Sequence, residues 1–226
     1  MLKLISSMAT RQLLVELASA WQQVSGVEVT IESVGGVDAA KRVQAGEAFD
    51  GVVLASDAID KLASGGSVVA GSRVDLVRSS VAVAVKAGAP KPDISTESAL
   101  RSAIETAPTI GYSTGPSGVA LVRLFERWGI AAALRSRIVQ APPGVPVGTL
   151  VARGDVALGF QQLSELMNLD GIAVLGTLPE AVSINTIFSA GTCAASLQGE
   201  ALAGLLAFMA SPDAATVKRR HGMDAV

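Results

Sequence analysis

The chain has 226 residues, a formal net charge of −2 and a pI near 5.5, so it carries no basic footprint for nucleic acid. Half of the residues are hydrophobic, enough for the cores of two small lobes, while aromatics at 4% leave little to stack against sugars or bases. No stretch approaches the ~20 uninterrupted apolar residues that insertion into a membrane requires, and the single Cys193 excludes an internal disulfide. Its neighbours Gly191, Thr192, Ala194 and Ala195 bear no charge that would activate a thiol, so Cys193 reads as a small buried residue.

Short apolar strands alternate with amphipathic helices along the whole chain, the pattern of an α/β fold with a mainly parallel sheet. Leu2 to Ser6 reads as the first strand, running into Ser7, and Leu13, Leu14, Leu17, Ala18 and Trp21 then recur at helical spacing. Val27 to Ser33 alternates as a half-buried strand. Gly35-Gly36 ends it, and a helix over Val37 to Ala45 stops at Gly46. Gly51 to Ala55 is a buried strand and Ala58 to Leu62 a short helix before the Gly65-Gly66 turn. Ser80 to Val85 is a near-continuous apolar strand, followed by a Pro-rich loop over Gly88 to Asp93. Ser95 or Thr96 caps the next helix, which buries Leu100, Ala103 and Ile104. Thr109 to Tyr112 is a strand, and the helix beyond Gly118 is expected to bury Val119, Val122, Leu124, Phe125 and Trp128. Pro142 to Pro146 forms a loop and Val156 to Phe160 a strand; Val182 to Phe188 reads as a return strand, and Leu202 to Met209 as a closing helix. The basic run Lys218-Arg219-Arg220 reads as a solvated helix end.

Four loops follow one logic: Ser6-Ser7, Gly35-Gly36, Ser113 to Gly118 and Gly144 to Gly148 each leave a strand and open a helix with small or hydroxylated residues. Free N–H groups and the helix dipole favour an anion there, glycine admits close backbone approach, and hydroxyls donate further hydrogen bonds. Open α/β sheets bind ligands at these strand ends. Ser6, Ser7, Gly35, Gly36, Ser117, Gly118 and Val147 are therefore candidate anion-binding residues. Other chemistries find no support. Gly115 to Gly118 lacks the Lys of a phosphate-binding P-loop, Gly35-Gly36-Val37-Asp38 lacks the third glycine of a dinucleotide fingerprint, and Ser113 has no histidine partner. Carboxylates lack metal-ligand spacing, so neither metal nor cofactor is expected. Glu165, Tyr112 and Asp38 are the titratable groups nearest these loops, and none is assigned as a catalytic base.

The order of these loops resembles the molybdate-binding-protein-like branch of the type II periplasmic solute-binding proteins. The likeness is carried by Ser6-Ser7, Ala40 to Asp50 running into Val52–Ala55, Val69 to Asp75, Ala89 to Thr96, and Leu158-Gly-Phe-Gln-Gln-Leu-Ser-Glu165. It implies a two-lobed fold, each lobe a mixed, mainly parallel sheet flanked by helices. Lobe 1 would comprise residues 1–80 and 188–226 and lobe 2 residues 81–187, with crossover strands near 80–85 and 182–188 as the hinge of a closing interlobe cleft. Ser7 matches a first-loop serine of the molybdate binders. Gly35-Gly36 stands where those relatives carry serines, and Gln162 stands about where a tyrosine helps hold molybdate, which adds Gln162 to the candidates. These departures enlarge and soften the pocket and argue against molybdate or tungstate themselves, so the expected ligand is a small anion, a di- or tricarboxylate or an oxyanion. A neighbouring branch of the family resembles aconitate isomerase, so an isomerase of small polycarboxylates, working by proton transfer α to a carboxylate, is the alternative to a receptor. The resemblance implies a monomer that binds a small anion without cofactor and serves an ABC-type permease if exported. Lys3 stands inside the first strand with no apolar leader before it, so the chain as written reads as cytoplasmic, or as periplasmic after removal of a signal peptide.

Overall fold

The computed structural model describes residues 1–142 and 144–226; Pro143, in the expected Pro142–Pro146 loop, lies outside the described residues. The chain divides into two compact units, unit 1 from Met1–Ser79 with Thr186–Val226, and unit 2 from Ser80–Asn185.

Unit 1 opens with β1 (Leu2–Ser7), α1 (Arg11–Ser25), β2 (Val29–Val34), α2 (Gly36–Gln44), β3 (Gly51–Ala55), α3 (Ser56–Ser64) and the first half of β4 (Val74–Lys86). Strand β1 pairs in parallel with β2 on one side and β3 on the other. Being central, β1 buries both faces, so its apolar residues do not alternate with polar ones after Lys3. Leu2 and Leu4 pack toward α1 with Leu13, Leu14 and Leu17, whereas Ile5 packs toward α2 and α3 with Ala39, Val43, Ile59 and Leu62. This alternation decides the direction of the two serines that end the strand.

Unit 2 contains α4 (Glu97–Thr106), β5 (Ile110–Tyr112), α5 (Pro116–Arg127), α6 (Ala131–Leu134), β6 (Ile138–Gln140), α7 (Val147–Arg153), β7 (Leu158–Gln162), α8 (Leu163–Leu166) and β8 (Ile172–Thr177). Here β5 is the parallel partner of both β6 and β7, while β4 runs antiparallel to β7 and β8. Leu158 and Phe160 of β7 face the core shared with α4 and α5. Gly111 and Gly159 sit on the opposite face, where a Cβ at either would lie within 2.7 Å of Val156 or Val151, so α7 packs directly on the strands. Thr96 caps α4 through the Ala99 N–H, 3.1 Å away, as expected. The chain leaves unit 2 along β9 (Asn185–Thr192), which pairs antiparallel with β3 in unit 1, and α9 (Gly199–Ala210), α10 (Ala215–Arg220) and β10 (Met223–Ala225) complete that unit.

Segments that carried the family likeness prove to be stitching. Asp50 accepts from the Lys3 N–H at 2.9 Å and from Ser196 Oγ at 2.7 Å, and Asp75 accepts from Ser189 Oγ at 2.6 Å and Arg73 Nε at 2.8 Å. The Arg73 guanidinium holds the Asp75 carboxyl below the usual carboxylate range.

Several expectations need correction. Strand β4 begins at Val74, not Ser80, because its first residues mix polar side chains into a strand paired on both edges. The return strand starts at Asn185 and extends to Thr192, since residues 180–182 form a 3₁₀ turn. Val119 is half exposed, and Val122 and Trp128 are only partly buried; Trp128 Nε1 reaches the Glu97 carboxylate at 2.7 Å. The basic run is not wholly solvated either. Helix α10 lies against α1 and β10, and this turns Lys218 inward to 1% exposure.

Burial of Lys218 pushes its amine pKa down. The charged form is therefore disfavoured in the folded state, a cost that is full below the depressed value and disappears as pH rises to the ordinary amine range. Lys218→Met keeps the stem and removes the charge, and is expected to raise Tm at pH 7. A lower Tm in thermal denaturation would show instead that the ammonium is stabilised where it lies.

Candidate functional site

In unit 1 the two serines at the end of β1 point to opposite faces. Ser6 Oγ lies 2.8 Å from Ser33 Oγ on β2, and also donates to the Ser7 carbonyl at 3.3 Å. Its hydroxyl is committed to the sheet. Ser7 faces α2, is only 7% exposed, and its Oγ has no hydrogen-bond partner among the described residues. Such a buried hydroxyl costs about 1–3 kcal/mol unless something supplies an acceptor or donor.

Gly36, the first residue of α2, stands against this hydroxyl, so that a Cβ there would lie 3.7 Å from Ser7 Cβ. No side chain caps α2. Its first intrahelical bond runs from the Ala39 N–H to the Gly35 carbonyl at 2.9 Å, leaving the N–H groups of Gly36, Val37 and Asp38 without partners among the described residues. A helix start with open amides beside a buried, unpartnered hydroxyl is an anion-binding arrangement. Ser7, Gly35 and Gly36 are thus brought together, and Ser6 turns away from them.

In unit 2 the β5–α5 loop places Ser117 and Gly118 in the first turn of α5, both buried. Ser117 Oγ is 3.4 Å from Ser113 Oγ, and the Gly118 N–H donates to the Gly115 carbonyl at 3.0 Å. Only glycine fits at 118, because a Cβ would lie 1.9 Å from the Ser113 carbonyl oxygen. A cavity of about 280 Å³ opens beside this turn, lined by Tyr112, Ser113, Gly118, Arg123, Glu126 and Gln140. Burial pushes the Tyr112 hydroxyl pKa up, so it remains a neutral donor.

Val147 and Gln162 stand differently. The Val147 side chain is buried against Gly111 and Gly159, and its N–H donates to Gln161 Oε1 at 2.7 Å. The first amide of α7 is therefore satisfied from within the protein. Gln162 ends β7, buried on the same face as Phe160 and opposite Val81. Gln161 points to the other face, where its Nε2 donates to Glu165 Oε1 at 2.8 Å. Burial pushes the Glu165 carboxyl up to about 7, with the Gln161 hydrogen bond opposing it. Sequence reading passed over Gln161: its partner lies 14 residues away, and nothing local signals the contact. Cys193 is buried as expected, and burial, reinforced by the nearby Asp50 charge, pushes its thiol up to about 12.

The sequence profile of the family described as bacterial extracellular solute-binding protein matches residues 2–224. This chain belongs to that family. An aconitate isomerase of Pseudomonas sp is 39% identical to it over 217 residues, covering 93% of this chain and 82% of that protein. The fold is that of the type II periplasmic binding proteins. The periplasmic molybdate-binding protein of Azotobacter vinelandii superposes with a TM-score of 0.81 at 20% identity, covering 99% of this chain and 98% of the other. A tungstate-binding protein of Desulfovibrio alaskensis superposes with a TM-score of 0.67 at 16% identity, covering 95% and 92%. Among the described residues no helix is long and apolar enough to cross a membrane.

Two outcomes follow from the packing and the charge. Gly118→Ala is expected to cost about 3 kcal/mol through overpacking, lowering Tm by roughly 6–12 °C; an unchanged melting curve would show that the loop yields freely. For Glu165, the folded pKa of about 7 lies above the ordinary value of 4.5, so its contribution to stability is complete below the ordinary value and lost as pH rises through about 7. At ~1.4 kcal/mol per pH unit the ceiling is ~3 kcal/mol. Glu165→Gln retains an acceptor for Gln161, so its Tm should exceed that of the parent at pH 8 and match it near pH 5. Parallel Tm–pH curves for the two proteins would contradict this.

Proposed function

We propose that this chain binds a small polycarboxylate, a di- or tricarboxylate, at the open start of α2 beside Ser7. The observation that carries this reading is the Ser7 hydroxyl, buried and unpartnered next to the free amides of Gly36, Val37 and Asp38. Membership of the solute-binding family supports anion capture, and the tricarboxylate named for the 39%-identical isomerase supports the ligand class. Gly35 and Gly36 offer backbone amides in place of side-chain hydroxyls. In this reading Ser117 and Gln162 bind in unit 2, Gly118 admits the loop, and Val147 positions the start of α7. Ser6 anchors β1. As a receptor the protein would work outside the cytoplasmic membrane and deliver its ligand to an ABC-type permease.

The 39%-identical relative favours a second reading, an isomerase of small polycarboxylates. In such a reaction a base takes a proton from the methylene next to a carboxylate. The electron pair moves across the adjacent double bond, and the proton returns to the far carbon. No cofactor enters the balance, and amide or hydroxyl donors hold the transient charge.

A thermal-shift series with cis-aconitate, citrate, succinate and molybdate separates these outcomes, because a ligand that binds only the folded state raises Tm. Tricarboxylates should raise Tm most, and Ser7→Ala should weaken their binding about fivefold, the loss of one neutral hydrogen bond of ~1 kcal/mol. No shift with any carboxylate would overturn the proposal. Appearance of trans-aconitate from cis-aconitate would establish the second reading, and its absence with bound ligand would leave the receptor.

A further inference from the structure

Strand β5 turns Ile110 and Tyr112 to the face of its sheet that packs against Leu121, Leu124 and Phe125 of α5. Beside it β6 runs in parallel register, with Ile138 opposite Ile110 and Gln140 opposite Tyr112, so Gln140 shares that face. At the level of Tyr112 and Gln140 the packing gives way to the cavity of about 280 Å³. Helix α5 forms its other wall. Val119, Val122, Arg123 and Glu126 all line it, and their spacing puts them on one stripe of the helix. Gly118 brings the first turn of α5 so close that a Cβ there would lie 3.0 Å from Tyr112 Cδ2, which holds the phenol ring in place.

Tyr112 lines this cavity with only 8% of its surface exposed, and its hydroxyl makes no hydrogen bond among the described residues. Burial alone raises its pKa, so the group is a neutral, rigidly placed donor. The two charges on the opposite wall are unmatched as well. Arg123 and Glu126 stand at a helical spacing where opposite charges commonly pair. Yet neither belongs to an ion pair among the described residues, whereas Arg127 of the same helix reaches Glu97 and Arg101 of α4 reaches Glu105. One cation, one anion, a buried phenol and the Gln140 amide thus border a single space, with two valines as its apolar wall.

We propose that this cavity is a second binding site and that it takes a small aliphatic α-amino acid. A simple anion would leave Glu126 facing a like charge, and a simple cation would do the same to Arg123. A zwitterion matches both. Its carboxylate faces Arg123 and accepts from the Tyr112 hydroxyl, its ammonium faces Glu126, and its aliphatic side chain lies on Val119 and Val122. At ~30 Å³ per water the space holds about nine waters, close to the size of valine. The site lies wholly within unit 2 and uses no residue at the start of α2, so it stands or falls independently of the polycarboxylate reading.

The test titrates the whole ¹⁵N-labelled chain with L-valine and with two controls, 3-methylbutanoate and 2-methylpropylamine. The controls keep the valine skeleton and lack its ammonium or its carboxylate. L-valine should shift the amides of Ser113, Arg123 and Gln140 along one saturating curve and bind roughly three- to fivefold more tightly than either control, the value of one exposed ion pair. Tyr112→Phe keeps the ring against Gly118 and should weaken valine binding about tenfold, as loss of a hydrogen bond to a charged group does. Glu126→Gln should lower valine to the affinity of 3-methylbutanoate. Equal affinity for the three compounds would overturn the zwitterion, as would valine binding undiminished in Glu126→Gln. Shifts centred away from these amides, none at millimolar valine, or full affinity in Tyr112→Phe would overturn the site itself.

Discussion

A buried donor must find an acceptor, and the ends of the parallel strands in this fold leave several without one. The sharpest case is Ser7. Strand β1 is central in its sheet, covered on one face by α1 and on the other by α2 and α3, so its last side chains are buried. Strand alternation then sends Ser6 to a partner on β2 and Ser7 to the start of α2, where three backbone amides have no partner among the described residues. The site is the place where the fold's own hydrogen bonding stops short.

Unit 2 meets the same constraint with a different solution. At α7 the first amide is closed by Gln161, an internal side chain that takes the place a ligand would otherwise have. The cost moves to Glu165, which holds the far end of that amide and is left half-buried without a cation. The opened helix start at α2 and the closed one at α7 differ in charge as well as in hydrogen bonding. The first leaves a hydroxyl and three amides open among the described residues, and the second carries a carboxyl whose charge depends on pH near neutrality.

Much of the fold was legible because burial writes itself into short apolar runs. Gly51–Ala55, Leu158–Phe160 and the Ser6-Ser7 strand end could be placed from pattern alone, and so could the glycine breaks before α2 and in the first turn of α5. What was hidden depends on distant partners. The first half of β4 reads as polar until its neighbours are known, Lys218 is turned inward by α1 and β10, and the exposure of Val119 follows from how α5 sits. At the candidate site Ser6 and Ser7 look equivalent in sequence, and only the pairing with Ser33 separates them. Gln161 is hidden for the same reason: its value lies in a contact with Val147 that no local spacing announces.

The central claim is that a small polycarboxylate engages the open start of α2 beside Ser7 in unit 1. Titration of the ¹⁵N-labelled chain with cis-aconitate, read residue by residue from backbone amide shifts, addresses it most directly. The predicted result is that the amides of Ser7, Gly36 and Val37 move together along a single saturating curve. Shifts centred away from the start of α2, or none at saturating ligand, would contradict it.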